Sequence, residues 1–230
     1  MVLAEIMFPA ATGTLVILAS LVGGRVYIVS GNRAIMWLSI GLLFVGVQSL
    51  LEGYVNYLID TTEGFYGSRE HYFIDAIRGV FIILWASAQA LVLIEMSGAS
   101  EQRWILSLPI VILIAGSTST FTINLLSGIE DPAHLLLISS IARVVGILIP
   151  MAFILGIFMI NAIARPTGSR GALIIGVAFL LHAITLPFYS VAKGAGVATL
   201  GLWYAIGGII PAFGTVYGFY QLVKEQEAVE

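Results

Sequence analysis

The sequence predicts an all-α, polytopic membrane protein that crosses the bilayer seven times, in a layout that admits a 3+1+3 parallel repeat, and three observations carry that prediction. Of 230 residues, 59% are hydrophobic and 10% charged, whereas a soluble domain usually carries about a quarter charged residues. The mean hydropathy is +1.03. Seven apolar runs reach the roughly 20 residues needed to cross ~30 Å of hydrocarbon at ~1.5 Å per residue. Short segments rich in Gly, Ser, Asp, Glu and Arg separate them.

The runs are 8–29, 35–59, 73–96, 104–126, 134–162, 171–192 and 199–222. The first is preceded by Met1-Val2-Leu3-Ala4-Glu5, without a basic n-region, and is longer than a usual signal-peptide core, so it is expected to be a retained helix. The second carries Gln48, Glu52 and Asn56, and the third Asp75, Arg78, Gln89 and Glu95. The fourth is the expected linker between two triplets. The fifth holds Arg143 and Pro150, the sixth His182 and Pro187, and the seventh Tyr204 and Pro211. One domain is expected over 1–230, with repeats at 8–96 and 134–222 and a short tail at 223–230.

Orientation follows from the basic residues. Arg25, Arg33, Arg103, Arg165, Arg170 and Lys224 fall on one side, against Arg69 and Lys193 on the other. The positive-inside bias therefore predicts an outside N-terminus and a cytoplasmic C-terminus. Tryptophans and tyrosines near the run ends, such as Trp37, Tyr54, Tyr57 and Trp203, suit headgroup depth.

The second and sixth runs align at a shift of 130 positions: Gly41, Leu43, Gly46, Val47, Leu50 and Leu51 fall on Gly171, Leu173, Gly176, Val177, Leu180 and Leu181, and Glu52 falls on His182. The third and seventh match one residue off that shift, through Ala76, Ile77 and Gly79 against Ala205, Ile206 and Gly208. The first and fifth give no clear match. Corresponding helices are four crossings apart and so run the same way, which puts the pseudo-twofold axis along the membrane normal. That layout resembles, in architecture alone, the one described for SWEET sugar transporters and proposed for microbial rhodopsins. No motif of either family is present.

An ionisable group inside hydrocarbon costs at least ~2.5 kcal/mol, so it faces the bundle interior, a wet cavity or a partner charge. Gln48, Glu52 and Asn56 lie at i, i+4 and i+8 and share one helix face, which is expected to avoid lipid. Arg143 lies on the order of 13 Å below the outer boundary by its position in the run, too deep for easy snorkelling. Glu52 is at a comparable depth and is its expected partner. His182 sits mid-helix, with Tyr189 and Tyr204 near it in depth. Glu52, Arg143, His182, Gln48 and Asn56 are thus the expected substrate or ion site. Asp75 and Arg78 are read as a structural i, i+3 ion pair near the outer end.

Other chemistries find little support. No cysteine is present, which removes disulfides, thiolate metal sites and cysteine nucleophiles. Retinal would need a lysine deep in a helix, and Lys193 and Lys224 lie at an end and in the tail. Bis-histidine haem would need two deep histidines, and His182 stands alone at depth, with His134 near a helix end and His71 in a loop. Glu70, His71 and Asp75 form a hydrated cluster more readily than a metal site. No cofactor is expected. Neither a zinc-hydrolase nor a serine-hydrolase motif occurs, which points away from an enzyme. The charge of −3 without a basic cluster argues against nucleic acid as a partner.

The expected partners are the lipid bilayer and a small-molecule or proton ligand, with an oligomer or complex left open. The expected function is a small-solute or proton-coupled transporter or channel with a polar site in the outer half. A seven-helix sensor and a structural subunit of a membrane complex are the alternatives.

Overall fold

The computed structural model describes residues 2–97, 148–194 and 200–228, all of them helices and short turns. The fourth run, the start of the fifth and Arg143 lie outside the described residues. The helices are α1 (Val2–Ser30), α2 (Arg33–Thr61) and α3 (Arg69–Met96). Next comes α4, which begins as Ile149–Phe158, passes through a π-helical stretch Met159–Ala164 and ends in the turn Arg165–Thr167. After α5 (Arg170–Gly194), α6 runs through Leu200–Tyr204, a π-helical stretch Ala205–Ile209 and Ile210–Glu227. Six of these helices are long and apolar enough to span a membrane.

They are apolar on both faces. Leu21, Ile28, Phe73 and Phe213 are each more than 60% exposed, while Val26, Ile83, Leu155, Ile175 and Phe219 are fully buried. A helix in water keeps one polar face; one that is hydrophobic all round is surrounded by apolar matter. The fold is a helical bundle built for lipid.

In the bundle α1 packs on α2, α2 on α3, α4 on α5 and α5 on α6, and α6 returns against α1 while α3 touches α4. The described helices therefore form a closed ring, in which α1–α3 are one consecutive triplet and α4–α6 the other. Glycine lets the backbones approach. A Cβ at Gly46 would stand 2.7 Å from Ile17 Cγ1 and 3.1 Å from the Gly13 carbonyl. In the other triplet, a Cβ at Gly176 would stand 2.7 Å from Ile160 Cγ1 and 3.0 Å from the Gly156 carbonyl. Between α5 and α6, Gly171 and Gly218 face each other in the same way. Hydrocarbon supplies no hydrophobic drive between helices, so close backbone packing at small residues replaces it.

The α1–α2 and α4–α5 turns use the same local chemistry. Gly31 adopts φ 66° after α1, and Gly168 adopts φ 69° after α4, a left-handed conformation that glycine enters without a Cβ clash. In the first turn the Asn32 N–H donates to Ser30 Oγ (3.2 Å) and Asn32 Oδ1 accepts from the Ala34 N–H (3.0 Å). In the second, the Ser169 N–H donates to Thr167 Oγ1 (3.2 Å) and Ser169 Oγ accepts from the Ala172 N–H (3.1 Å).

Two helices outrun their predicted ends. α4 continues to Thr167 because the stop is Gly168 rather than the last apolar residue. α6 continues through the tail to Glu227, where Glu225 accepts from Ser169 Oγ (2.6 Å) and from the N–H groups of Arg170 (2.8 Å) and Gly171 (3.0 Å). A carboxylate on the N-terminal N–H groups of α5 satisfies orphan donors and meets the positive end of the helix dipole.

Replacing Gly46 or Gly176 with Val is expected to cost about 1–3 kcal/mol by overpacking. Thermal unfolding in detergent should show a lower midpoint for both variants. Gly24→Ala, with nothing within 4 Å of the new Cβ, should leave the midpoint unchanged or raise it.

Candidate functional site

The stripe on α2 turns inward. Gln48 and Asn56 are buried, and the Glu52 side chain is 15% exposed. Their roles differ. Asn56 Nδ2 donates to the Glu5 carbonyl of α1 (2.8 Å). Pro9, four residues on from Glu5, lies inside α1 and has no N–H to offer that carbonyl. The asparagine therefore fills a gap made by a proline.

His182 does the same for α6. Its Nδ1 is hydrogen-bonded to the Gly207 carbonyl, and the residue four positions on is Pro211. The Ile210 N–H bonds to the Ala205 carbonyl, five residues back, so the helix is π-wound just before Pro211, which has no N–H to offer Gly207 at the α-helical i+4 position. A carbonyl only accepts, so Nδ1 donates, and in the neutral ring Nε2 is the unprotonated nitrogen. A Cβ at Gly207 would stand 2.7 Å from Thr185 Oγ1, so glycine is what allows α6 this close to α5.

Glu52 belongs to a charged network. Arg78 Nη2 lies 3.4 Å from Glu52 Oε2, and Arg78 Nη1 lies 3.3 Å from Asp75 Oδ1. The Tyr204 hydroxyl donates to Glu52 Oε1 (3.4 Å). Asp75, expected near the boundary, is only 2% exposed, so the pair lies within the bundle. The Tyr204 ring rests near Phe8 of α1, with centroids 6.3 Å apart. One guanidinium thus bridges α3 to α2, and one phenol joins α2 to the other triplet. Such contacts hold in low dielectric because each charge keeps hydrogen-bonded partners.

The proposed site residues are therefore partly united. Tyr204 and Gly207 are one turn apart on α6, so Glu52 and His182 attach to consecutive turns of the same helix. Gln48 joins no described hydrogen bond, Arg143 lies outside the described residues, and so does the Tyr189 side chain. His71, buried at the α2–α3 turn, accepts the Gly67 N–H on Nδ1 (3.1 Å) and packs between Phe65 and Tyr66. Among the described residues no group of three His, Asp or Glu side chains could hold a metal.

Two features went unread in the sequence. Gln89 is fully buried, and neither its Oε1 nor its Nε2 has a hydrogen-bond partner among the described residues. At the end of the bundle opposite Glu52 opens a cavity of about 460 Å³, lined by all six described helices. An interhelical cavity leaves no periodic signature in a chain that is apolar on every face. Comparisons with protein-family models, with curated proteins and with solved structures return no match.

The carbonyl-filling role of Asn56 can be isolated in a double-mutant cycle. Asn56→Leu alone is expected to lower stability by about 1 kcal/mol, within the range of interhelical hydrogen bonds in membranes. In a Pro9→Ala background, where residue 9 regains an N–H, the loss should shrink to near zero. Equal losses in both backgrounds, measured by reversible unfolding in mixed micelles, would refute the role.

Proposed function

We propose that the protein is a proton-coupled transporter of a small solute, with Glu52 as the proton-exchanging group. The observation that carries this reading is the Glu52–Arg78–Asp75 network, joined through Tyr204 to the opposite triplet. Transport by alternating access requires two bundles that rock about a central site. A link between bundles that depends on one carboxylate's charge provides a switch for that motion. The cavity at the opposite end is consistent with a resting form open on that side.

The same reading holds that the chain crosses the membrane seven times, as two parallel triplets with the N-terminus outside. α3 and α4 both end beside the cavity, since Met96 and Ile163 line it together. A bilayer-spanning chain then needs one more crossing to join them. The triplet repeat is supported by the turns Ser30-Gly31-Asn32-Arg33 and Thr167-Gly168-Ser169-Arg170, and by the paired glycine contacts Gly13/Gly46 and Gly156/Gly176. It is supported again at the site: Glu52 meets Arg78, and His182 meets Gly207, at positions the repeat aligns. The first and fifth runs escape alignment at a single shift because the α1–α2 hairpin is longer than its counterpart.

Two experiments test this. In proteoliposomes loaded with a pH-sensitive dye and offered a panel of small solutes, at least one solute should drive proton movement. Glu52→Gln should cut that rate tenfold or more. No solute-driven signal across the panel, or an unaffected Glu52→Gln protein, would remove the transport reading in favour of a sensor or a structural subunit.

Because the chain has no cysteine, single Ser30→Cys, Thr62→Cys and Ala228→Cys variants report topology without background. A membrane-impermeant maleimide should label the Thr62→Cys protein in intact cells and the other two only after lysis. Labelling of positions 30 and 228 from opposite sides would rule out seven crossings.

A further inference from the structure

The cavity has a chemistry of its own. Its mouth is polar, with Ser30, Asn32, Ser169, Glu225 and Gln226, and Glu225 is engaged with the start of α5. Its walls are apolar and include Ile35, Met159, Ile163 and Phe219, and among the described residues no charged side chain lines it beyond the mouth. A volume of about 460 Å³ falls among small-molecule sites, which span ~300–1,000 Å³.

The inner end of the cavity is formed by Leu38 on α2 and Val92 on α3. One turn further along the same helices stand Gly41 and Gln89. The Gln89 amide occupies the notch that Gly41 leaves, where any Cβ would collide with it. On α3, Trp85, Gln89, Val92 and Met96 fall on one helical stripe, and Arg78 lies further along it toward the charged network. A fully buried amide with both ends unpartnered is costly, and each such group calls for an explanation. Here it lies one turn past the floor of a cavity.

We infer that this cavity binds a small uncharged amphipathic solute, with its apolar body against the walls and one hydrogen-bonding group reaching the Gln89 amide once Leu38 and Val92 shift aside. The solute is uncharged because a net charge would be desolvated beyond the mouth with no counter-charge among the described lining residues. The amide both donates and accepts, so it suits a hydroxyl or carboxamide head. This rests on the transport reading in naming the solute class, but binding itself needs no gradient.

The test uses a diazirine-bearing octanol with the full chain in lipid nanodiscs, and adducts located by peptide mass spectrometry. Saturable adducts are expected on Leu38, Val92 and Met96, competed by unlabelled octanol and not by octane. Gln89→Leu, which removes an unpartnered amide and so should fold at least as well, is expected to weaken octanol competition about tenfold, the equivalent of one hydrogen bond. Ile163→Trp, a larger side chain at a half-buried wall position, should abolish the adducts while the helical circular dichroism is retained. Adducts confined to lipid-facing residues would overturn the proposal, as would equal competition by octane or unchanged affinity in Gln89→Leu. Failure here leaves the Glu52 flux test standing, and failure of that test leaves the binding result readable.

Discussion

Hydrocarbon offers a buried polar group no partner, and most of what is specific in this bundle follows from that constraint. Each proline inside a helix releases a carbonyl that water would otherwise serve. At Glu5 and Gly207 the neighbouring helix supplies the missing donor, from Asn56 and His182. The same constraint gathers Glu52, Asp75 and Arg78 into one network. Helices can satisfy these demands only if they come close, and the glycine contacts between α1 and α2 and between α4 and α5 provide that proximity. The polar contacts and the small-residue contacts are therefore two halves of one solution.

How far the sequence could be read depended on which coordinate was asked for. Depth along the membrane normal follows from counting residues, so the six described spans and the inward stripe of Gln48, Glu52 and Asn56 are legible in the sequence. Direction around a helix axis, and which helix stands beside which, are not. Depth alone pairs Glu52 with Arg143, which lies outside the described residues; the contact with Arg78 on the adjacent helix is one that depth does not reveal. Asp75 and Arg78 were recognised as neighbours, but a spacing of three residues does not reveal burial. Asn56, expected in the site, also donates to the Glu5 carbonyl, which Pro9 marks as needing a donor. That signal was available: a proline identifies its orphan carbonyl four residues earlier, and a polar side chain on a neighbouring apolar run is the natural candidate to fill it.

The repeat proposed above changes the meaning of the site. If α2–α3 and α5–α6 descend from one unit, the contact between positions 52 and 78 and that between 182 and 207 are the same contact with different chemistry. One copy holds a charged pair, and the other an imidazole on a backbone carbonyl. On the transport reading proposed above, such divergence would suit an asymmetric task, with the proton-exchanging group in one triplet and a hinge of π-helix and proline in the other.

The clasp at the far end of α6 has a mechanical meaning. Glu225 grips the first N–H groups of α5, so the last turn of α6 and the first turn of α5 are fastened together rather than joined by a slack tether. A tilt of that hairpin carries the end of α6 at Glu227 along as a lever arm. Anything attached beyond Glu227 would ride on the bundle and register its posture.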